Sequence, residues 1–253
     1  ADVRAVEAAG RIGELRVAAE AAEPARSLSG AIGRPGLSVI AEIKRRSPSA
    51  GDIDGSLDPV SRARSYVAGG ADAISVLTEP HFFGGSLSDL EAIRQAVEVP
   101  VLRKDFTRNE AQVWEARAAG ADAILLIVAA LEDARLAALV AEAQEVGVDA
   151  IVEAHTVGEV RRAVEAGASI VGVNNRDLHT FATDLATAEE AAPSIPTGVL
   201  SIGESGVSDV DGAVRMANVG YDAILVGEAL VRSSDPAALV RSLKGASTIE
   251  EAT

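Results

Sequence analysis

The stretch GADAISV at 70–76 returns as GADAILL at 120–126, GVDAIVE at 147–153 and GYDAILV at 220–226. In each copy a glycine suited to a helix C-cap precedes an aspartate and then an apolar run, the signature of a helix turning into a buried strand. Further apolar runs at SVIAEI (38–43), PVLRK (100–104), SIVGVN (169–174) and VLSIGE (199–204) bring the candidate strands to eight. Strands this continuously apolar belong in a parallel sheet covered by helices. The segments between them are patterned for helices: 57–70 opens on Asp58-Pro59 and closes on glycines, 109–120 offers Asn109 as a cap, and 132–147 repeats apolar residues at helical spacing. Eight such units in about 210 residues predict an α/β fold of the (β/α)8 barrel type. The alternative, an open doubly wound sheet, calls for a Gly-rich dinucleotide fingerprint after the first strand, where this chain has KRRSPSAGD. Residues 1–33 fall outside the eight units and are helix-prone; they are expected to form an N-terminal helical extension across one end of the barrel. No linker-like stretch divides residues 1–253, so a single domain is expected.

Composition narrows the function. A net charge of −15 argues against nucleic-acid binding and means that an anionic substrate needs a local cluster of cations and helix N-termini. The chain has no cysteine, which removes disulfides, thiolate metal sites and cysteine nucleophiles. The longest apolar runs, such as AILLIVAAL at 123–131, fall short of the roughly 20 residues of a membrane span, and no signal-peptide pattern opens the chain. A soluble, cytoplasmic protein is expected, with no nucleic-acid or membrane partner.

In a barrel of this kind sites gather at the C-terminal ends of the strands. The first strand ends in Glu42 and Lys44, two residues apart and so on one face. Lys104 ends the third and Glu153 the fifth; Asn174, Asn175 and Arg176 follow the sixth, and Glu204 and Ser205 the seventh. Any one of these reads most simply as a structural ion pair at a strand end. The ring of them reads as residues converging on one cavity. ESGVSD (204–209) and VGEAL (226–230) each place a glycine where a strand gives way to a helix, as in phosphate cradles built from backbone N–H groups.

VIAEIKRRSPSAG, SVLTEPHFFGGSLSDL, PVLRKDF, GADAILLIVAAL, VGVNNRDL, ESGV and ILVGEAL occur in this order from Val39 to Leu230, and together they resemble the indole-3-glycerol phosphate synthases of tryptophan biosynthesis. The resemblance implies a carbon-carbon lyase that closes the pyrrole ring of 1-(2-carboxyphenylamino)-1-deoxyribulose 5-phosphate, releasing carbon dioxide and water, with no metal or organic cofactor. It implies Lys104 as general acid in ring closure and Glu153 in acid/base work during dehydration. Lys44 is implied in substrate binding and proton transfer, Glu42 in holding it, Asn174 and Arg176 in orienting substrate, and Glu204 as a further carboxylate. Ser47 is implied as a substrate contact. Ser205, Gly206, Gly227 and the backbone of Glu228 would hold the phosphate, and Phe83, Phe106 and Leu178 would wall the anthranilate ring. The segment ahead of Val39 is shorter than the family's leading helix, so less cover over that ring is expected. A monomer is expected.

The chemistry asks for these types. An aromatic carbon must attack a poorly electrophilic carbonyl, so a proton donor beside that oxygen is worth about 10²–10⁴ in rate. A lysine serves best as acid when positive neighbours or desolvation lower its pKa, and Lys44 near Lys104 is expected to do so. A phosphate anchor remote from the bonds that change supplies binding energy for positioning. Two other readings remain at this point: a related isomerase of phosphoribosylanthranilate, which calls for a Cys/Asp pair that the chain lacks, and a silent phosphate-binding barrel. Trp114 reads as packing on an outer helix; His81, His155 and His179 read as solvated loop residues without metal-ligand spacing.

Overall fold

The computed structural model describes residues 10–48, 51–177 and 180–248. Eight parallel strands close into a barrel: β1 (Ser38–Ile43), β2 (Ala73–Leu77), β3 (Val101–Lys104), β4 (Ala123–Ile127), β5 (Asp149–Ala154), β6 (Ile170–Asn174), β7 (Leu200–Glu204) and β8 (Ala223–Val226). Closure is made at β1, where Ala41 stands opposite Ile74 of β2 on one side and Val226 of β8 on the other. This excludes the open sheet. The helices are α1 (Ile12–Ala21), α2 (Leu28–Ile32), α3 (Pro59–Ala68), α4 (Leu87–Ala96), α5 (Glu110–Ala118), α6 (Asp133–Val146), α7 (Val157–Glu165), α8 (Ala186–Ala191), α9 (Val210–Asn218), α10 (Glu228–Arg232) and α11 (Pro236–Lys244). Their starts follow the predicted caps: the Asp58 side chain accepts from Ser61 N and that of Asn109 from Gln112 N. Gly147 ends α6 in the left-handed conformation at φ 79°. No helix among the described residues is long and apolar enough to cross a membrane.

The repeated aspartate has a task that its sequence context does not announce. Asp72 accepts from Val39 N at 2.9 Å, Asp122 from Val101 N at 2.8 Å and Asp222 from Ser201 N at 2.7 Å. Each thus ties the opening N–H of one strand to the start of its neighbour, at the N-terminal end of the barrel. Asp149 instead accepts from Ser29 N at 2.8 Å, and the second oxygen of Asp122 from Arg26 N at 2.8 Å. These bonds seat α2 under the barrel, where Leu28 and Ile32 are fully buried against Ile40, Leu102, Ile151 and Ile170. The expected cover over one end is therefore a plug in the end away from the site. α1 lies along α5 instead, packing Leu15 and Ala19 on Trp114. The indole N–H of Trp114 donates to Glu142 and Arg16 stacks 5.0 Å from its ring, so Trp114 is a packing residue as read.

Inside the barrel, side chains alternate in and out along every strand. The inward rows begin apolar, with Ile40, Leu102, Ile151, Ile170 and Ile202 in one buried cluster. At their last positions the same rows turn polar, to Glu42, Lys104, Glu153, Asn174 and Glu204. The core ends where the site begins.

Candidate functional site

Two chambers meet at the mouth of the barrel. One, of about 310 Å³, is lined by Arg176, Thr183, Ser205, Gly206, Gly227, Glu228 and Arg232. The other, of about 380 Å³, is walled by Phe83, Phe106, Leu125, Ile127 and Phe181, with Ser47, Pro48, Glu153 and Asn174 on its margin. Glu42, Lys44 and Lys104 line both and form the partition between them. The arrangement suits an elongated molecule with an anionic end, an aromatic end and a reactive centre between them.

The partition is a compact charge cluster. Lys44 Nζ lies 2.9 Å from Glu42 Oε1, and Lys104 Nζ lies 3.5 Å from Glu42 Oε2 and 2.6 Å from Glu204 Oε2. Two glycines make room for it. A Cβ on Gly172 of β6 would overlap Glu204 Oε1, and one on Gly227 would overlap Glu42 Oε1 and crowd Lys44 Nζ at 3.0 Å. Burial works to raise the Glu42 carboxyl, yet the two ammonium groups outweigh it and hold its pKa at about 2. Burial pushes Glu204 up to about 7, with Lys104 opposing and Glu153 adding to the rise. For Lys104 the expectation is corrected. Desolvation does favour its neutral form, but Glu204, Glu42 and Glu153 more than offset it and raise its pKa. Its neighbours in space are carboxylates, so it is held protonated.

The polar chamber rests on a specific backbone conformation. Ser205 and Gly206 both take positive φ, 63° and 85°. A side chain at 206 would press on Thr183 and Leu185, so glycine is required twice over. Asn175 was expected to face the cavity; it is buried instead, and its amide donates to the carbonyls of Glu204 and Ser205, both at 3.1 Å. Its own oxygen accepts from Ala188 N at the start of α8 at 2.9 Å. Asn175 is thus the brace that holds the β7 loop. Across the chamber, α10 opens with Gly227 as N-cap, presenting its first N–H groups to the same space. The Glu228 side chain is turned along the helix to Arg232 at 2.9 Å, which leaves its backbone for a ligand.

On β6, Asn174 Oδ1 accepts from Arg176 N at 3.1 Å, and the Arg176 guanidinium donates to the Phe181 carbonyl at 3.0 Å. Leu178 and His179 lie outside the described residues. His81 is exposed as expected, whereas His155 is not a solvated loop residue. Its side chain is only 11% exposed, with Nε2 3.4 Å from Glu153 Oε1 and Nδ1 3.4 Å from Glu159 Oε2. The sequence reading also passed over Leu125 and Ile127. The alternation along β4 that puts Ala123 inside carries Leu125 and Ile127 into the aromatic chamber.

Comparison with known proteins agrees with this geometry. The family model described as indole-3-glycerol phosphate synthase matches residues 1–243. An indole-3-glycerol phosphate synthase of Rhodococcus opacus (strain B4) is 49% identical over 246 residues, covering 97% of this chain and 91% of that one. One from Mycobacterium avium (strain 104) is 49% identical over 248 residues, covering 98% and 91%. Among solved structures, the 3-hexulose-6-phosphate synthase of Salmonella typhimurium superposes with a TM-score of 0.66 at 17% identity, over 84% of this chain and 99% of that one. Thiamine phosphate pyrophosphorylase of Pyrococcus furiosus does so with 0.64 at 17%, over 84% and 96%. These two show a shared barrel and nothing finer. The relatives at 49% identity show more: the chain belongs to the indole-3-glycerol phosphate synthase family.

Proposed function

We propose that the protein converts 1-(2-carboxyphenylamino)-1-deoxyribulose 5-phosphate to indole-3-glycerol phosphate, as a metal-free carboxy-lyase of tryptophan biosynthesis. The observation that carries the reading is the placement of Lys104 and its carboxylates on the wall between an anion chamber and an aromatic chamber. The phosphate sits against Ser205, Gly206, Gly227 and the N-terminus of α10. The carboxyphenyl ring lies between Phe83 and Phe106 over Leu125 and Ile127, with Ser47 and Arg176 at its edges. The ketose carbonyl then falls at the partition.

The chemistry follows from that pose. As the ring carbon that bears the carboxylate attacks the ketose carbon, the carbonyl oxygen becomes an alkoxide far more basic than an amine. A lysine of raised pKa is still acid enough to protonate it, and its charge stabilises the developing oxyanion. Loss of carbon dioxide restores the aromatic ring. Dehydration then needs an acid at the departing hydroxyl and a base at the adjacent C–H; Lys44 and Glu153, which line the aromatic chamber with Lys104, take these roles. Glu204, 2.6 Å from Lys104, is placed to return a proton to it. Glu42 holds Lys44 and Lys104 in position. Asn174 and Arg176 orient the substrate.

The test is a fluorescence assay for the indole product with purified protein in EDTA. Product that disappears in Lys104→Ala supports the reading. Binding of the substrate without product would leave a phosphate-binding barrel.

A further inference from the structure

The reaction has a proton balance that the partition alone does not meet. Ring closure takes up one proton at the carbonyl oxygen, and departure of that hydroxyl as water takes up another. Only one proton is given back, from the C–H next to the departing hydroxyl. The carboxylate leaves as carbon dioxide and carries none. Each turnover therefore draws one proton from solvent, at a time when the substrate fills the mouth of the barrel. Some path must deliver it.

His155 stands where such a path would run, just beyond β5. Both of its ring nitrogens are buried without a hydrogen-bond partner, a rare state for an imidazole. Each nonetheless lies 3.4 Å from a carboxylate, Glu153 Oε1 on the side of the site and Glu159 Oε2 on the side of α7. A small rotation of the ring completes either bond. Exposure rises along the series, from 4% for the Glu153 side chain through 11% for His155 to 20% for Glu159. Glu159 is itself fixed, since it also accepts from His155 N at 2.7 Å. On the same helix Arg162 is engaged by Asp133 and the Leu131 carbonyl, and among the described residues the carboxylates within 4 Å of the ring nitrogens are the two glutamates.

We propose that His155 is a positioning residue that relays protons between Glu159 at the surface and Glu153 in the site. Imidazole can accept at one nitrogen while it donates from the other, so the step breaks one N–H bond and forms another with no change in the ring's net charge. In its protonated form the ring also fixes the Glu153 carboxylate from behind. This rests on the assignment of Glu153 to acid/base work above.

The test compares wild type, His155→Gln and Glu159→Gln in steady-state assays run in H2O and D2O. Glutamine keeps polar atoms near both glutamates but cannot pass a proton. For His155→Gln, kcat should fall by at least about tenfold with KM little changed, below the 10²–10⁴ of a direct acid or base. The solvent isotope effect on kcat should rise, and added imidazole should restore part of the rate. Glu159→Gln should lose severalfold in kcat with the same rise, and it reads the path independently should His155→Gln not fold. Wild-type kcat and isotope effect in both variants would overturn the relay, as would a loss seen only in KM and melting temperature without imidazole rescue. A wild type that binds substrate without turning it over would instead overturn the proposed function.

Discussion

Lys104 Nζ rests 2.6 Å from one oxygen of Glu204, while the other oxygen of Glu204 is buried over Gly172 with no hydrogen-bond partner. A carboxylate so placed is costly, and burial raises its pKa to about 7 for that reason. On the proposed function, the pair serves the chemistry at some expense to stability. Lys104→Ala should lower kcat by at least about a hundredfold and leave substrate affinity largely intact, because Ser205, Gly206 and the Gly227 N-cap on the far side of the anion chamber are kept. Turnover close to wild type would remove Lys104 from the acid role.

Gly172 carries no functional group, yet it admits the Glu204 carboxyl to the partition. In Gly172→Ala the new methyl occupies the place of Glu204 Oε1 and touches Ile151. The carboxyl must move away from Lys104. We expect at least about a tenfold fall in kcat, with a crystal structure showing the Lys104–Glu204 contact lengthened. A variant with full activity and an unmoved Glu204 would show that the space is not needed.

Ser205 and Asn175 should separate binding from positioning. Ser205→Ala removes a hydroxyl from the anion chamber and should raise KM with little change in kcat. Asn175→Ala removes the side-chain bonds to the Glu204 and Ser205 carbonyls and the acceptor of the buried Ala188 N–H, at a cost of about 1–3 kcal/mol, while the Asn175 backbone N–H still donates to Glu204. It should lower the melting temperature and raise KM together. A fall in kcat alone in Ser205→Ala would contradict the phosphate assignment.

At the opposite end of the barrel the expectation reverses. Asp122 is fully buried and accepts from Val101 N, Arg26 N and the Arg94 guanidinium. Asp122→Asn turns an amide N–H2 toward donors and takes the buried carboxylate from Arg94, leaving it the Pro24 carbonyl and Glu23, for a loss of about 3–5 kcal/mol in denaturant unfolding. The folded fraction should keep wild-type kcat/KM. A selective loss of activity would mean that the two ends are coupled.

Stability should depend on pH in two opposed ways. Glu42 has a pKa lowered from 4.5 to about 2, so its ion pairs stabilise the fold above pH 4.5 and that contribution is lost as pH falls from 4.5 to 2. Glu204, raised from 4.5 to about 7, binds a proton when folded that the unfolded chain has released, so its contribution declines as pH rises from 4.5 to 7. Unfolding free energies measured across pH 2–7 should flatten at the acid limb in Glu42→Gln and between pH 4.5 and 7 in Glu204→Gln. Unchanged slopes in both would deny these carboxyls their shifted titrations.

Much of this site is legible in the sequence because a strand's alternation is rigid. Once Ile40, Leu102, Ile151 and Ile202 are taken as inward, Glu42, Lys104, Glu153 and Glu204 follow two residues later. Leu125 and Ile127 were open to the same argument and were hidden only by the uniform apolarity of their run. The alternation stops at the strand ends, and there the reading failed. Asn175 and His155 lie just past β6 and β5, where the side-chain direction is set by α8 and α7. The raised pKa of Lys104 was out of reach for a different reason, since its dominant partner lies 100 residues away in the chain. The repeated aspartates were visible as a pattern, but their bonds to strand N–H groups appear only once neighbouring strands are placed side by side.

The aspartates at one rim and Glu204 at the other should answer to selection in opposite ways. Each aspartate satisfies strand amides and has no substrate to serve, so drift at those positions is punished through lost folded protein. On the proposed function, Glu204 at the mouth is kept for turnover against the cost of its burial, so relaxing selection for catalysis would let an uncharged residue replace it while Lys104 keeps Glu42 as a partner. A lineage that lost the activity should therefore keep Asp72, Asp122 and Asp222 long after Glu204 had gone.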